Sequence, residues 1–442
     1  MRCYFHPEQL LHHPRSYYSR GAMRTPQEVP ERAQRLLQAA KDLGFDIRQP
    51  EDAGLEPLKA VHGEAYLAFL EEAHARWKEV PEDWGDEVMS NIFVREPNAL
   101  RGILAQAGRY LADGSCPVGE HTWRSAYWSA QSAVAGAKAI LDGEPAAYAL
   151  CRPPGHHARF DAAGGFCYLN NAAVAAQALR SRYSRVAILD TDMHHGQGIQ
   201  EIFYDRRDVL YVSVHGDPTN FYPGVAGFAD ERGSGAGEGY NLNLPMAHGA
   251  SEADFMGQLE VALAAVKDFG AEVLVLSLGF DIYELDPQSK VAVTTEGFAV
   301  LGERIRAMRL PCLIVQEGGI TWRAWRRMRR RFLPTRRTGD NVVSGLTGAC
   351  LDSFSAYEIE RRPRGASRDK PAPTSVSGQL LLRQIGCSLG AWLKIDEEQS
   401  RPLDIEWNKQ GGHRCPHRSD WPETDVGAGL SREAPRGRRS IS

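Results

Sequence analysis

Five short, nearly continuous apolar runs recur along the first 320 residues: AAYALC (146–151), RVAILD (185–190), VLYVSVH (209–215), EVLVLSLGFD (272–281) and LPCLIVQEGG (310–319). Strands covered on both faces read this way, because neither face calls for polar residues. Between the runs lie windows with apolar residues at helical spacing, at 31–45, 122–143, 171–183 and 252–270. Thr122 and Ser251 are the expected N-caps, and Gly143 and Gly270 the expected C-terminal stops. Strand–helix alternation over about 300 residues predicts an α/β fold, a mostly parallel sheet sandwiched by helices.

The alternation stops after Gly319. TWRAWRRMRRRFLPTRR (321–337) is dense in Arg and Trp without an amphipathic period, and the residues beyond it are rich in Pro, Arg, Ser and Gly. Short periodic pieces such as 377–395 do not make a core, and most of 345–442 is expected to be disordered. The chain therefore divides into a folded domain, 1–320, and an atypical tail, 321–442.

Composition sharpens this picture. The 442 residues are 43% hydrophobic, which is ample for a core, and the formal charge is only −4. The total hides two unlike pieces. Residues 321–442 carry 23 Lys and Arg against 14 Asp and Glu, a net of +9, which leaves 29 against 42, a net of −13, in 1–320. An acidic body excludes a nucleic-acid partner for the domain and favours a small cationic substrate. No run of 18 apolar residues occurs, so no membrane span is expected, and the first residues lack the apolar stretch of a secretory signal. Eight cysteines without paired spacing read as reduced thiols, which places the chain in the cytoplasm.

The candidate chemistry sits at strand ends, where ligands collect in open α/β sheets. Asp190, Asp192 and His194 follow VAIL, and side-chain alternation starts all three on one face. Two carboxylates and an imidazole suit a divalent cation such as zinc; capping aspartates are the plainer alternative. His156 and His157 in RPPGHH come after another run and are general-base candidates, and Asp281 ends a third. Elsewhere GSGAGEG (233–239) lacks phosphate-loop spacing and reads as a connector. The trio His413, Cys415 and His417 reads as a chance cluster, and the Arg-rich 323–337 as a by-product of the tail's origin.

RPPGHHA, GGFCYLNNAAVAA, LDTDMHHGQG, SVHGDP, YNLNLP, SLGFD and QEGG, in that order, resemble the zinc-dependent deacetylase family, nearest to bacterial acetylpolyamine amidohydrolases and class II-like histone deacetylases. The resemblance covers about residues 1–320 and implies the arginase–deacetylase fold, an eight-stranded parallel sheet flanked by helices in a single catalytic domain. It implies zinc on Asp192, His194 and Asp281, with His156 and His157 beside the attacking water and Asp190 behind His156. It further implies a structural potassium ion held by Asp190, Asp192, His194, Ser213 and the backbone of Val214. Phe166 and Tyr222 would wall a narrow tunnel, with Gly165, Gly318 and Gly319 lining it; plain core packing is the alternative for the two aromatics. The implied substrate is an acetylpolyamine or acetyl-lysine, and the segment at about 78–120 matches the loop through which such relatives form a homodimer.

Two positions depart from the family pattern. Gln197 stands where Asp or Asn orients the second histidine, and its longer amide is expected to reach His157 all the same. Ile320 stands where the family places the tyrosine that assists the oxyanion, which predicts turnover slowed by about a hundredfold or more. That leaves a weakly active binder of acetylated amines as the second reading, and an arginase-like binuclear manganese hydrolase as a third. Ile320 also opens the odd tail. With one choice of synonymous codons, restoring a single T ahead of codon 320 converts Ile-Thr-Trp-Arg-Ala-Trp into Tyr-His-Leu-Glu-Ser-Leu, so the tail is expected to be read out of frame.

Overall fold

The computed structural model describes residues 1–94 and 100–319. Its centre is a sheet of eight strands: β1 (Arg2–Tyr4), β2 (Asp46–Arg48), β3 (Ala146–Ala149), β4 (Val186–Asp190), β5 (Val209–Gly216), β6 (Asn241–Met246), β7 (Val273–Leu278) and β8 (Cys312–Gln316). They lie in the order β2-β1-β3-β8-β7-β4-β5-β6, every neighbour parallel. All five expected strands are present, and β1, β2 and β6 lie outside the apolar runs.

Eight helices of seven residues or more accompany the sheet among the described residues: α1 (Pro30–Asp42), α2 (Glu64–Arg76), α3 (Ile103–Tyr110), α4 (Thr122–Leu141), α5 (Asn171–Leu179), α6 (Gln197–Phe203), α7 (Glu252–Asp268) and α8 (Thr295–Ala307). Strand residues alternate between the two faces. Leu274, Leu276 and Leu278 of β7 enter one core with Leu36, Phe255 and Phe298 of α1, α7 and α8. Val273 and Val275 enter the other with Ala133, Ala137 and Ile140 of α4 and Val174 of α5. A third cluster, around Tyr66, Phe69 and Trp77, packs α2 and α3 beside the sheet.

Helix ends agree with the sequence, with one correction. Ser251 caps α7 in a capping box with Asp254. Gly143 and Gly270 have φ of +98° and +67°, the left-handed geometry that ends α4 and α7. Thr122 is not the cap of α4: His121 holds that position, and Thr122 is the first helical residue. Its hydroxyl accepts from the Gly119 N–H at 2.9 Å and lies 3.1 Å from His12 Nδ1, so it is occupied outside the helix. Among the described residues no helix is long and apolar enough to cross a membrane. Ile320, the whole tail and the candidate features in it lie outside the described residues.

Candidate active site

Four adjacent strands at the middle of the sheet, β3, β8, β7 and β4, each run into one of the motifs. Parallel pairing puts their carboxyl ends at the same edge, so residues far apart in sequence converge there. Arg152 anchors the first loop. Its guanidinium is fully buried, donating to Glu28 at 2.9 Å and to the carbonyls of Gln9 and His12 at 2.6 Å each. The backbone N–H groups of Gly155 and His156 donate to one oxygen of Glu317, at 2.7 and 3.1 Å, which ties the tandem histidines to β8.

The two histidines differ in their support. His156 Nδ1 lies 3.0 Å from Asp190, which also accepts from the Tyr211 hydroxyl and the Asp192 N–H. Burial lowers the His156 pKa, but the carboxylates of Asp192 and Asp190 outweigh it and raise the group to about 10. His157 Nδ1 lies 2.7 Å from the side-chain oxygen of Gln197, so the longer amide does reach. Burial, then the charges of His156 and His194, hold His157 well below its usual value. The surroundings thus favour the charged form of His156 and the neutral form of His157.

Asp192, His194 and Asp281 present ligand atoms within 4.8 Å of one another. His194 Nδ1 lies 3.4 Å from Asp192 and 3.0 Å from Asp281, and its ring stacks on Phe221 with centroids 4.8 Å apart. The Met193 N–H orients Asp281 at 2.9 Å, and the Gly318 N–H orients Asp192 at 2.8 Å. Burial, then the charge of Asp192, push the Asp281 carboxyl up to about 7. His195, the other half of the histidine pair, turns away and lies 3.1 Å from Asn243.

The remaining expected residues fall in two places. Of the expected potassium set, Asp190 ends β4 and is the register partner of Ser213 in β5, where Val214 follows, while Asp192 and His194 lie just beyond β4. Ser213 Oγ lies 2.8 Å from His215 Nδ1. Phe166, Gly165, Tyr222, Gly318 and Gly319 line a cavity of about 1230 Å³ together with the metal-ligand candidates. Tyr222 stands edge-on to His157 at 4.8 Å, and Phe166 meets Tyr17 edge-on at 5.1 Å. Tyr17 belongs to a small hairpin, Tyr17–Ser19 with Ala22–Arg24, that sequence reasoning missed; its residues also line the cavity.

A second buried trio, His156, Cys167 and Glu317, also has the spacing of a metal site. Its atoms are already engaged. Glu317 holds the two backbone N–H groups, and Cys167, its thiol pushed well up by burial, donates to the Gly165 carbonyl at 3.4 Å.

The profile of the histone deacetylase domain matches residues 26–335. The chain belongs to the histone deacetylase family. It has the arginase–deacetylase fold, and its eight-stranded parallel sheet is the one that the sequence motifs implied. It is 72% identical over 319 residues to an acetylpolyamine amidohydrolase of Burkholderia pseudomallei (strain 1710b), covering 72% of this chain and 94% of that one. Identity to the acetylpolyamine amidohydrolase of Mycoplana ramosa is 41% over 323 residues, covering 72% and 94%. The crystal structure of acetylpolyamine aminohydrolase from Burkholderia pseudomallei superposes with a TM-score of 0.74 at 70% identity, covering 75% of this chain and 97% of that one.

Proposed function

We propose that this family member is a zinc-dependent hydrolase that releases acetate from an N-acetylated amine, an acetylpolyamine first and acetyl-lysine second. The observation that carries the reading is the Asp192–His194–Asp281 cluster, its two carboxylates buried, lining a cavity with His157 and Tyr222. Its donor set of one nitrogen and two carboxylates is one that zinc takes. Two buried carboxylates around one imidazole also need a cation to balance them. When bound there, zinc supplies Lewis acidity that polarises the acyl oxygen and acidifies water.

The chain's own residues do the rest. His157, neutral and with Nε2 open, takes the proton of the attacking water and returns it to the leaving amine. His156, charged against Asp190, contributes positive potential beside the developing oxyanion. Phe166 and Tyr222 hold the aminoalkyl chain between them, while Gly165, Gly318 and Gly319 let it pass close to the backbone. Asp190, Asp192, His194, Ser213 and the Val214 backbone hold a structural potassium ion. The five described cysteines are free and buried, in keeping with a reducing cytoplasm. The segment at about 78–120 mediates a homodimer. Residues 321–442 form a tail read out of frame from codon 320, which resequencing of the coding DNA checks directly.

Ile320 supports slow turnover in the chain as it stands, and so the second reading of a weakly active binder. Acetate release from acetylputrescine and from an acetyl-lysine peptide, measured for the zinc-loaded chain beside Ile320→Tyr, separates the readings. Activity in the tyrosine variant alone supports a hydrolase impaired at one position. No acetate from either folded protein overturns the assignment.

A further inference from the structure

Gln197 does not orient His157 unaided. Carboxylates and amide oxygens only accept hydrogen bonds, so a chain of bonds that ends on a carboxylate has a fixed direction. Asp113, three residues beyond α3, supplies that end. Its Oδ2 accepts from the Tyr222 hydroxyl at 2.8 Å and from the Gly165 N–H at 3.2 Å. Its Oδ1 accepts from the Ser115 N–H at 2.8 Å and from the Ser115 hydroxyl. With its proton committed to Asp113, the Tyr222 oxygen can only accept, and Gln197 Nε2 donates to it at 3.4 Å. The Gln197 oxygen is thereby turned to His157 Nδ1, which must carry the hydrogen and leave Nε2 open.

We propose that Asp113 and Tyr222 are positioning residues that fix the amide of Gln197 and, through it, the Nδ1–H tautomer of His157. The need arises from the glutamine itself. A carboxylate at position 197 would present an acceptor whichever way it turned; a glutamine has one accepting and one donating end, and flipped it would select the opposite tautomer. Burial and the Asp113 charge hold the Tyr222 phenol well above its usual pKa, so it remains a donor. Close packing guards the arrangement. A Cβ at Gly164 would stand 3.2 Å from both Asp113 Oδ2 and the Tyr222 hydroxyl, and one at Gly165 only 2.8 Å from that hydroxyl.

The value of the tautomer to catalysis rests on the deacetylase reading, but the tautomer itself does not, so the two are tested apart. In the zinc-loaded full chain with ¹⁵N-labelled histidine, two-bond ¹⁵N–¹H couplings are expected to show the Nδ1–H form of His157. Tyr222→Phe and Asp113→Ala are expected to give a mixture or the other form, and Asp113→Asn, which keeps an acceptor, to restore the first. Spectra unchanged in Tyr222→Phe and Asp113→Ala overturn the proposal. In the Ile320→Tyr background each of those two variants should lower kcat by about 3- to 10-fold at constant KM. Their double variant should be no slower than the slower single. Losses that multiply, or that fall on KM alone, overturn the proposal. Loss of all acetate release in the parent would count against the deacetylase reading and leave the coupling result standing.

Discussion

A side chain at position 318 would displace two carboxylates that pack against it. A Cβ there would lie 2.6 Å from Asp192 Oδ2 and 2.9 Å from Asp281 Oδ2, while the Gly318 N–H must still reach Asp192. Gly318→Ala should keep the fold and lower zinc affinity by about 10- to 100-fold, as displaced support of metal ligands does. Competition against a chromophoric chelator reads this, and unchanged affinity would remove the two carboxylates from the ligand set. Ile320→Tyr should raise turnover by about a hundredfold or more if a single hydroxyl is what the oxyanion lacks. Asp192, His194, Asp281 and the tandem histidines were legible because each stands at the end of an apolar run. Glu317 and Asp113 were not, since what they do depends on groups distant in sequence, Gly155 and His156 for one and Tyr222 for the other.

Among the elements, the loop between β3 and α5 depends on one buried ion. Arg152 sits between Glu28 and two carbonyls with no solvent to replace them. Arg152→Met should cost about 3–5 kcal/mol in chemical denaturation, because it leaves Glu28 buried beside fewer positive groups. A loss under about 1 kcal/mol would show that Arg32, 3.6 Å from Glu28, compensates. Long two-sided strands could be read from their apolar runs, whereas β1 and β2, three residues each, offer no run to read. β6 failed for a different reason. Its buried positions Asn241 and Asn243 are polar and its half-buried positions Leu242 and Leu244 apolar, the reverse of the usual pattern. The asparagines are inside because they bond to Gln200, Glu231 and the Phe228 carbonyl, a network that no periodicity announces.

For the whole molecule, the charge of 1–320 and its exposed apolar residues make separate claims. With a net of −13, that part should draw in a cationic acetylated amine, so kcat/KM should fall as salt rises from 50 to 500 mM, roughly, while a neutral acetylated amine shows little change. Ile92 and Phe93 stand exposed in the segment assigned to the dimer. Ile92→Glu with Phe93→Glu should shift sedimentation from dimer to monomer, and an unchanged dimer would place the contact elsewhere. The order of the sheet also governs how the protein is made. Among the described strands β8 is the last in the chain, yet it lies between β3 and β7. Without β8 the other strands fall into two groups, β2-β1-β3 and β7-β4-β5-β6, each with an edge that β8 otherwise covers, and open edges invite pairing with other chains. A frame change before β8 would leave both edges uncovered, whereas the one proposed at codon 320 falls after β8 and would alter no strand of this sheet.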